Sequence, residues 1–215
     1  MEKKIGILFD LDGTLLDTLE DLTDATNYAL RQFSLPERNH REIRSFLGTG
    51  ARELIRKSMP EGVTDAHVTE VLTVYRAYYE AHCRIKTRPY DGILEALEQL
   101  KQKYPLAVVS NKPDAAVRPL CRDFFPGIYA RGERADCPRK PAPDMILRTM
   151  ADLELDGCIY VGDSEVDVLT AQNAGVPCIG VLWGFRDREV MQQAGCQHLC
   201  EDPRDLPKMV ENILK

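Results

Sequence analysis

The apolar positions divide the chain into three stretches with different periodicity. The first is a five-residue apolar run, Ile5–Phe9, which has the length and composition of a buried strand. The second, residues 17–85, carries apolar residues at helical spacing and holds no strand candidate of comparable strength. The third, residues 86–215, alternates short apolar runs with amphipathic helical segments. Apolar strands that alternate with helices are typical of a parallel sheet covered on both faces.

The order of the stretches predicts the domain organisation. The short apolar runs of the third stretch are expected to join the first strand in one doubly wound parallel α/β sheet. These runs are 106–109, 158–161 and 178–182. The helical stretch is then an insertion between the first strand and the rest of the sheet. We therefore predict an α/β core made of residues 1–16 and 86–215, and a helical domain made of residues 17–85.

Charge and cysteine content narrow the class of protein. The net charge is −6 and no long basic run occurs, so nucleic acid is not an expected partner. No apolar stretch reaches the ~18 residues of a membrane span, and the first residues do not resemble a signal peptide. The seven scattered cysteines suit a reducing compartment. We expect a cytoplasmic protein, and the sequence leaves open whether it is a monomer or a homodimer.

Two carboxylates follow the first predicted strand, one residue apart. On an extended backbone, Asp10 and Asp12 point the same way, and like charges so close together require a cation or a cationic side chain nearby. Gly13 and Thr14 then allow the chain to turn. The pair could supply a nucleophile, an acid/base group or part of a Mg²⁺ site. The alternative is an ordinary polar turn at the end of a strand.

Further polar residues lie beside later elements at the same predicted edge, where ligands bind in doubly wound sheets. They are Ser110, Asn111, Lys140, Asp163 and Asp167. Carboxylates from two strands suit Mg²⁺, and Ser110 beside a helix N-terminus suits a phosphate. Lys140 could neutralise both the phosphate and Asp10. No glycine-rich phosphate loop of either common pattern occurs, which disfavours a nucleoside-triphosphatase or dinucleotide fold.

In order along the chain, these residues match the four motifs of the haloacid dehalogenase superfamily, which the sequence resembles over nearly its whole length. The matching segments are Asp10-x-Asp12-Gly13-Thr14, Ser110-Asn111, Lys140 and Gly162-Asp163-x-x-x-Asp167. The helical insertion resembles the small α-helical cap of that superfamily. Segments 108–113 and 181–185 are similar to its phosphoglycolate phosphatase branch. The resemblance implies a Rossmann-like core with an inserted cap.

The resemblance also implies the chemistry of the carboxylates. Asp10 would attack phosphorus and form an aspartyl-phosphate. Asp12 would protonate the leaving alkoxide and then take a proton from the hydrolytic water. Mg²⁺ would be held by Asp10, by the backbone carbonyl of Asp12 and by Asp163. Mn²⁺ accepts the same oxygen ligands, so the sequence does not choose between the two cations.

Other positions receive supporting roles from the same resemblance. The residues that would hold the transferring phosphoryl group are Ser110, Asn111 and Lys140. Asp167 would orient metal-bound water or Lys140 rather than bind the metal. In the cap, the loop that contains Gly50 resembles the segment that faces the active site in relatives. Arg52 beside it could grip a substrate carboxylate, with a solvated helix arginine as the equal alternative.

The implied function is a Mg²⁺-dependent phosphatase for a small phosphorylated acid, with 2-phosphoglycolate as the first candidate. Asp12 argues for phosphoryl transfer, because a halide leaving group needs no proton. An inorganic pyrophosphatase, a nucleotide or sugar-phosphate phosphatase and a hexose-phosphate mutase stay open as alternatives. A non-catalytic phosphate-binding protein is the alternative from a different class.

Overall fold

A six-stranded parallel sheet organises one of two units in the computed structural model, which describes residues 3–215. In chain order the strands are β1 (Ile5–Phe9), β2 (Leu16–Asp17), β3 (Arg88–Pro89), β4 (Leu106–Pro113), β5 (Tyr129–Glu133), β6 (Gly157–Gly162), β7 (Cys178–Val181) and β8 (His198–Cys200). The main sheet has the order β5-β4-β1-β6-β7-β8, and all its pairings are parallel. The predicted α/β parallel fold is thereby confirmed.

The core unit comprises residues 3–16 and 89–215, and the helical unit comprises residues 17–88. The helices of the core unit are α5 (Ile93–Leu100), α6 (Asp114–Phe124), α7 (Asp144–Asp152), α8 (Glu165–Ala174), α9 (Arg188–Gln193) and α10 (Leu206–Ile213). The helical unit holds α1 (Leu19–Gln32), α2 (His40–Phe46), α3 (Ala51–Ser58) and α4 (Asp65–His82). Strands β2 and β3 form a separate two-stranded sheet, and both boundaries between the units fall within it.

The central position of β1 determines where the following residues lie. Phe9, its last residue, is level with Val108 of β4 on one side and Val161 of β6 on the other. The backbone N–H of Asp10 still donates to the Val161 carbonyl at 2.8 Å, so the first residue after the strand is held in the ladder. Because parallel strands end at the same edge, the residues at the carboxyl ends of β1, β4 and β6 meet there.

Two strands of the main sheet, β5 and β8, are not predicted from the sequence. Strand β5 carries three charged residues or glycine among its five and is mostly half-buried, and β8 has only three residues. Both lie at an edge of the sheet, where a strand needs no continuous apolar run. Strand β4 also runs to Pro113 rather than ending at Val109, so the polar residues after Val109 lie on the strand itself.

The helical unit contains a buried carboxylate that fixes the return of its chain. Asp21 of α1 accepts hydrogen bonds from the backbone N–H groups of Lys86 and Thr87 at 2.9–3.1 Å. The unit therefore continues to residue 88, three residues beyond the end placed from the sequence pattern. None of the helices formed by residues 3–215 combines the length and hydropathy that a bilayer span requires.

Candidate active site

Three buried aspartates meet where β1 and β6 end. Asp10 follows β1, Asp163 follows β6, and Asp167 lies in the first turn of α8. One carboxylate oxygen from each lies within 4.8 Å of the other two. We call these three residues the aspartate cluster. A buried cluster of like charges is stable only if positive charge is brought to it.

Lys140 supplies part of that positive charge. Its Nζ lies 2.9 Å from Asp10 Oδ1 and 2.7 Å from Asp167 Oδ1, and the lysine is almost wholly buried. Burial by itself lowers the pKa of an ammonium group, but the charges of Asp10 and Asp167 raise the pKa of Lys140 above its ordinary value. The lysine is therefore charged, and it links the predicted nucleophile to the carboxylate at the start of α8.

One ammonium does not balance three carboxylates. Burial raises the pKa of Asp10 to about 6 against the opposing effect of Lys140. Burial, followed by the charges of Asp167 and Asp10, holds the pKa of Asp163 well above its usual range. If all three carboxylates are ionised, two negative charges stay uncompensated within the cluster, and hard carboxylate oxygens are the ligands that Mg²⁺ prefers. The donor set and the charge therefore fit a divalent cation.

The contacts of Asp167 differ from those of its two partners. Both of its oxygens accept strong hydrogen bonds, Oδ1 from Lys140 and Oδ2 from the backbone N–H and the hydroxyl of Ser164 at 3.1 and 2.6 Å. These contacts orient Lys140 and cap the start of helix α8. The Asp167 carboxylate therefore has little freedom to bind a cation. Asp10 Oδ1, by contrast, is buried beside Lys140 without a well-aligned hydrogen bond. The supporting role of Asp167 stays a prediction, because all three aspartates offer an oxygen to the cluster.

Two glycines let neighbouring loops close around Asp163. Gly13 has φ +83°, and a Cβ there would lie 2.3 Å from Asp163 Oδ2. A Cβ on Gly184 would lie 2.3 Å from the Gly13 carbonyl and 2.4 Å from Asp163 Cβ. The Asp163 carboxylate accepts from Thr14 Oγ1 at 3.2 Å and from the Phe185 N–H at 2.7 Å. The first motif and segment 184–185 therefore jointly orient this carboxylate.

The end of β4 brings two further predicted residues to the same edge. Asn111 exchanges two hydrogen bonds with the backbone of Lys140, at 2.8 and 3.0 Å, and so fixes the loop that carries the lysine. Its side-chain amide is thus engaged with protein, and a phosphate contact from Asn111 would come through its backbone. Ser110 Oγ accepts from the Lys112 N–H at 3.3 Å and is buried.

Asp12 is not one of the three residues of the aspartate cluster, although its charge, after burial, helps to raise the pKa of Asp10. It lies in the turn that follows strand β1 and Asp10. The Asp12 carboxylate meets Lys112, whose Nζ lies 2.8 and 3.0 Å from its two oxygens. The sequence analysis did not select Lys112. The signal for it was its position two residues after Ser110 at the end of a strand.

Tyr160 is a second residue that the sequence did not reveal. Its hydroxyl lies 3.0 Å from Lys140 Nζ and 3.2 Å from Asp167 Oδ1, and it donates to the Val109 carbonyl at 3.0 Å. The ring belongs to the buried core of the sheet. Tyr160 lies within an apolar strand, and no sequence pattern there indicates that its hydroxyl contacts Lys140 and Asp167.

The two candidate specificity residues lie within the helical unit. Gly50 precedes helix α3 with φ +92°, a conformation that favours glycine. The Arg52 guanidinium contacts the first turn of α4, at 3.1 Å from Thr69 Oγ1 and 3.4 Å from Asp65 Oδ1. A substrate carboxylate would have to join or replace these contacts.

Known proteins resemble this chain along most of its length. The sequence profile of the haloacid dehalogenase-like hydrolases matches residues 7–181. Phosphoglycolate phosphatase 1 of Pseudomonas aeruginosa is 32% identical over 212 residues, which cover 93% of this chain and 77% of that protein. The phosphoglycolate phosphatase of Mannheimia succiniciproducens is 31% identical over 221 residues, which cover 97% and 98% of the two chains.

The fold has close counterparts among solved structures. The crystal structure of a candidate phosphoglycolate phosphatase from Lactobacillus delbrueckii subsp. bulgaricus superposes with a TM-score of 0.91 at 37% identity. The match covers 97% of this chain and 99% of that one. Together with the profile match and the four motifs at one sheet edge, these similarities confirm the resemblance inferred from the sequence: the chain belongs to the haloacid dehalogenase-like hydrolase family.

Proposed function

We propose that the protein is a Mg²⁺-dependent phosphatase that hydrolyses a small phosphorylated acid, first of all 2-phosphoglycolate, through an aspartyl-phosphate on Asp10. The observation that carries the proposal is the aspartate cluster with its single lysine at the carboxyl ends of β1 and β6. A dehalogenase needs no proton donor, so the second carboxylate at Asp12 favours phosphoryl transfer. The names of the relatives supply the first choice of substrate.

The cation would be held by Asp10, by Asp163 and by the backbone carbonyl of Asp12. When bound, it would reduce the repulsion between the Asp10 carboxylate and the phosphate dianion. Lys140 would hold a phosphoryl oxygen and stabilise the charge of the transition state. Ser110, at the neighbouring strand end, would donate a hydrogen bond to the same group.

Two half-reactions follow from this arrangement. In the first, Asp10 attacks phosphorus, the bond from phosphorus to the leaving oxygen breaks, and protonated Asp12 gives its proton to the departing alkoxide. In the second, water attacks phosphorus and gives a proton to the Asp12 carboxylate. The bond from Asp10 to phosphorus then breaks, and phosphate leaves. Each residue returns to its starting state.

Removal of the Asp163 charge should remove most of the stabilisation by the cation. In the wild type, Mg²⁺ at about 100 times its Kd should add about 2.7 kcal/mol to the free energy of unfolding. Asp163→Asn should lose most of this increment, yet be at least as stable as the wild type without metal, because a repelling charge is gone. The amide can keep the contacts to Phe185 and Thr14. Thermal unfolding with and without Mg²⁺ measures both effects.

The matched control for this experiment is Asp24→Asn, since Asp24 is exposed and pairs with Lys86 in the helical unit. It should keep the full response to Mg²⁺. An unchanged Mg²⁺ response in Asp163→Asn would remove Asp163 from the proposed metal ligands.

Phosphate release across a substrate panel tests the proposed activity. The panel holds 2-phosphoglycolate, pyrophosphate, sugar phosphates and nucleoside monophosphates with Mg²⁺, and the Asp10→Asn protein serves as the blank. We expect the highest kcat/KM for 2-phosphoglycolate, and Arg52→Gln should then raise KM for this carboxylated substrate. A higher kcat/KM for another compound of the panel would replace 2-phosphoglycolate as the proposed substrate. Absence of any release would contradict the phosphatase proposal, and an aspartyl-phosphate that decays slowly would indicate a mutase.

A further inference from the structure

An almost buried lysine outside the aspartate cluster grips the predicted acid/base carboxylate. The side chain of Lys112 is only 4% exposed, whereas that of Asp12 is 20% exposed. Lys112 Nζ contacts both Asp12 oxygens, at 2.8 and 3.0 Å. Withdrawal of an ammonium group from water is costly, and exposed ion pairs add little stability, so this contact is unlike an ordinary surface pair.

The backbones on both sides of this contact are also fixed. Asp12 lies in a turn closed by hydrogen bonds from the Gly13 N–H to the Leu16 carbonyl at 2.9 Å and from the Leu15 N–H to the Leu11 carbonyl at 3.0 Å. The N–H of Lys112 donates to Ser110 Oγ at 3.3 Å. With both backbones held, the contact with Lys112 restricts the orientations open to the Asp12 carboxylate.

Two lysines form ion pairs with different carboxylates of the candidate active site. Lys140 pairs with Asp10 and Asp167, and Lys112 pairs with Asp12. The second half-reaction needs Asp12 as a carboxylate, and Lys112 Nζ lies within hydrogen-bond distance of both of its oxygens. One oxygen can accept from Lys112 while the other accepts a proton from water.

We propose that Lys112 is the positioning residue for Asp12 in the second half-reaction. It holds the carboxylate in the orientation that takes a proton from the water attacking the aspartyl-phosphate. This inference rests on the proposed phosphatase function and deepens it. Rapid release of the phosphoryl group from Asp10, which distinguishes a phosphatase from a mutase, would depend on Lys112.

The test uses p-nitrophenyl phosphate, because p-nitrophenolate leaves without a proton and the first half-reaction then needs no acid. We expect Lys112→Met to give a burst of about one p-nitrophenolate per enzyme molecule, followed by a steady rate about 100-fold below that of the wild type. Acid quenching and mass measurement should find the phosphoryl group on Asp10. The decay rate constant of this phosphoenzyme is the decisive quantity.

Three variants act as controls. Asp12→Asn should show the same burst and the same slow decay of its phosphoenzyme. In the double variant Lys112→Met/Asp12→Asn, the phosphoenzyme should decay no more slowly than in Asp12→Asn, because the lysine acts through the aspartate. Lys112→Arg should restore part of the decay rate. If Lys112→Met is poorly folded by circular dichroism, Lys112→Gln provides the same measurement with a polar side chain.

Two results would overturn the role proposed for Lys112 and leave the proposed phosphatase function standing. One is normal phosphoenzyme decay with a lower kcat/KM, which would make Lys112 a substrate-binding residue. The other is a double variant that decays much more slowly than Asp12→Asn, which would mean that the lysine acts independently. If the wild type hydrolyses no phosphate ester in the same assay, the proposed function fails, and the role of Lys112 fails with it.

Discussion

Asp10→Asn is expected to lower kcat by about 10⁴-fold or more while the protein stays folded. The amide is nearly isosteric but is too weak a nucleophile to attack phosphorus. Folding should survive, because burial raises the pKa of Asp10 to about 6 and the charge therefore costs the fold free energy. Lys140 keeps Asp167 as a partner at 2.7 Å. Phosphate release and thermal unfolding of the same preparation measure the two effects.

Trace activity in this variant has two trivial sources that the experiment must separate. Contaminating phosphatase is measured with a mock purification, and deamidation of the new asparagine is followed by mass spectrometry and by growth of activity during incubation. Asp24→Asn, an identical change at an exposed aspartate, should keep wild-type turnover. Freshly prepared Asp10→Asn that retains more than about one percent of kcat would exclude Asp10 as the nucleophile.

The sheet and its chemical edge could be predicted because buried parallel strands need continuous apolar runs. The apolar run that ends at Phe9 is followed by Asp10, and the run that ends at Val161 is followed by Gly162 and Asp163; the structure places Phe9 and Val161 level with each other. The family was predicted from the resemblance of four ordered motifs to those of the haloacid dehalogenase superfamily, not from the apolar runs. The structure brings Lys140 to Asp10 through the loop that Asn111 holds.

The contact of Lys140 with Asp10 was predicted, but the partner of Asp12 was not, because it depends on the relative position of strand ends rather than on periodicity. Asp10 and Asp12 are two residues apart, yet they meet different lysines. The contact of Lys112 with Asp12 requires β4 to continue beyond Val109, and the pattern of apolar residues ends there. Strand β5 was missed because an edge strand tolerates polar residues.

Lys140→Met is expected to cause the second large loss, in both stability and activity. The change leaves Asp10 and Asp167 buried without their cation, and removal of one partner from a buried ion pair costs about 3–5 kcal/mol. Turnover should fall about 10²–10³-fold, because a donor to the phosphoryl group is lost. Urea unfolding measures the first effect and phosphate release the second. Lys101→Met, at an exposed lysine of α5's C-terminal end, should change stability by less than about 0.5 kcal/mol.

A double variant separates the electrostatic role of Lys140 from its catalytic role. In Lys140→Met/Asp167→Asn, one of the two orphaned charges is neutralised, so the double variant should be more stable than Lys140→Met alone. Its turnover should stay low, because no ammonium is restored beside the phosphoryl group. Recovery of stability without activity is the expected result. Recovery of both stability and turnover would mean that Lys140 only balances the charge of the aspartate cluster. If Lys140→Met is as stable as the wild type, the contacts of Lys140 with Asp10 and Asp167 contribute little to folding.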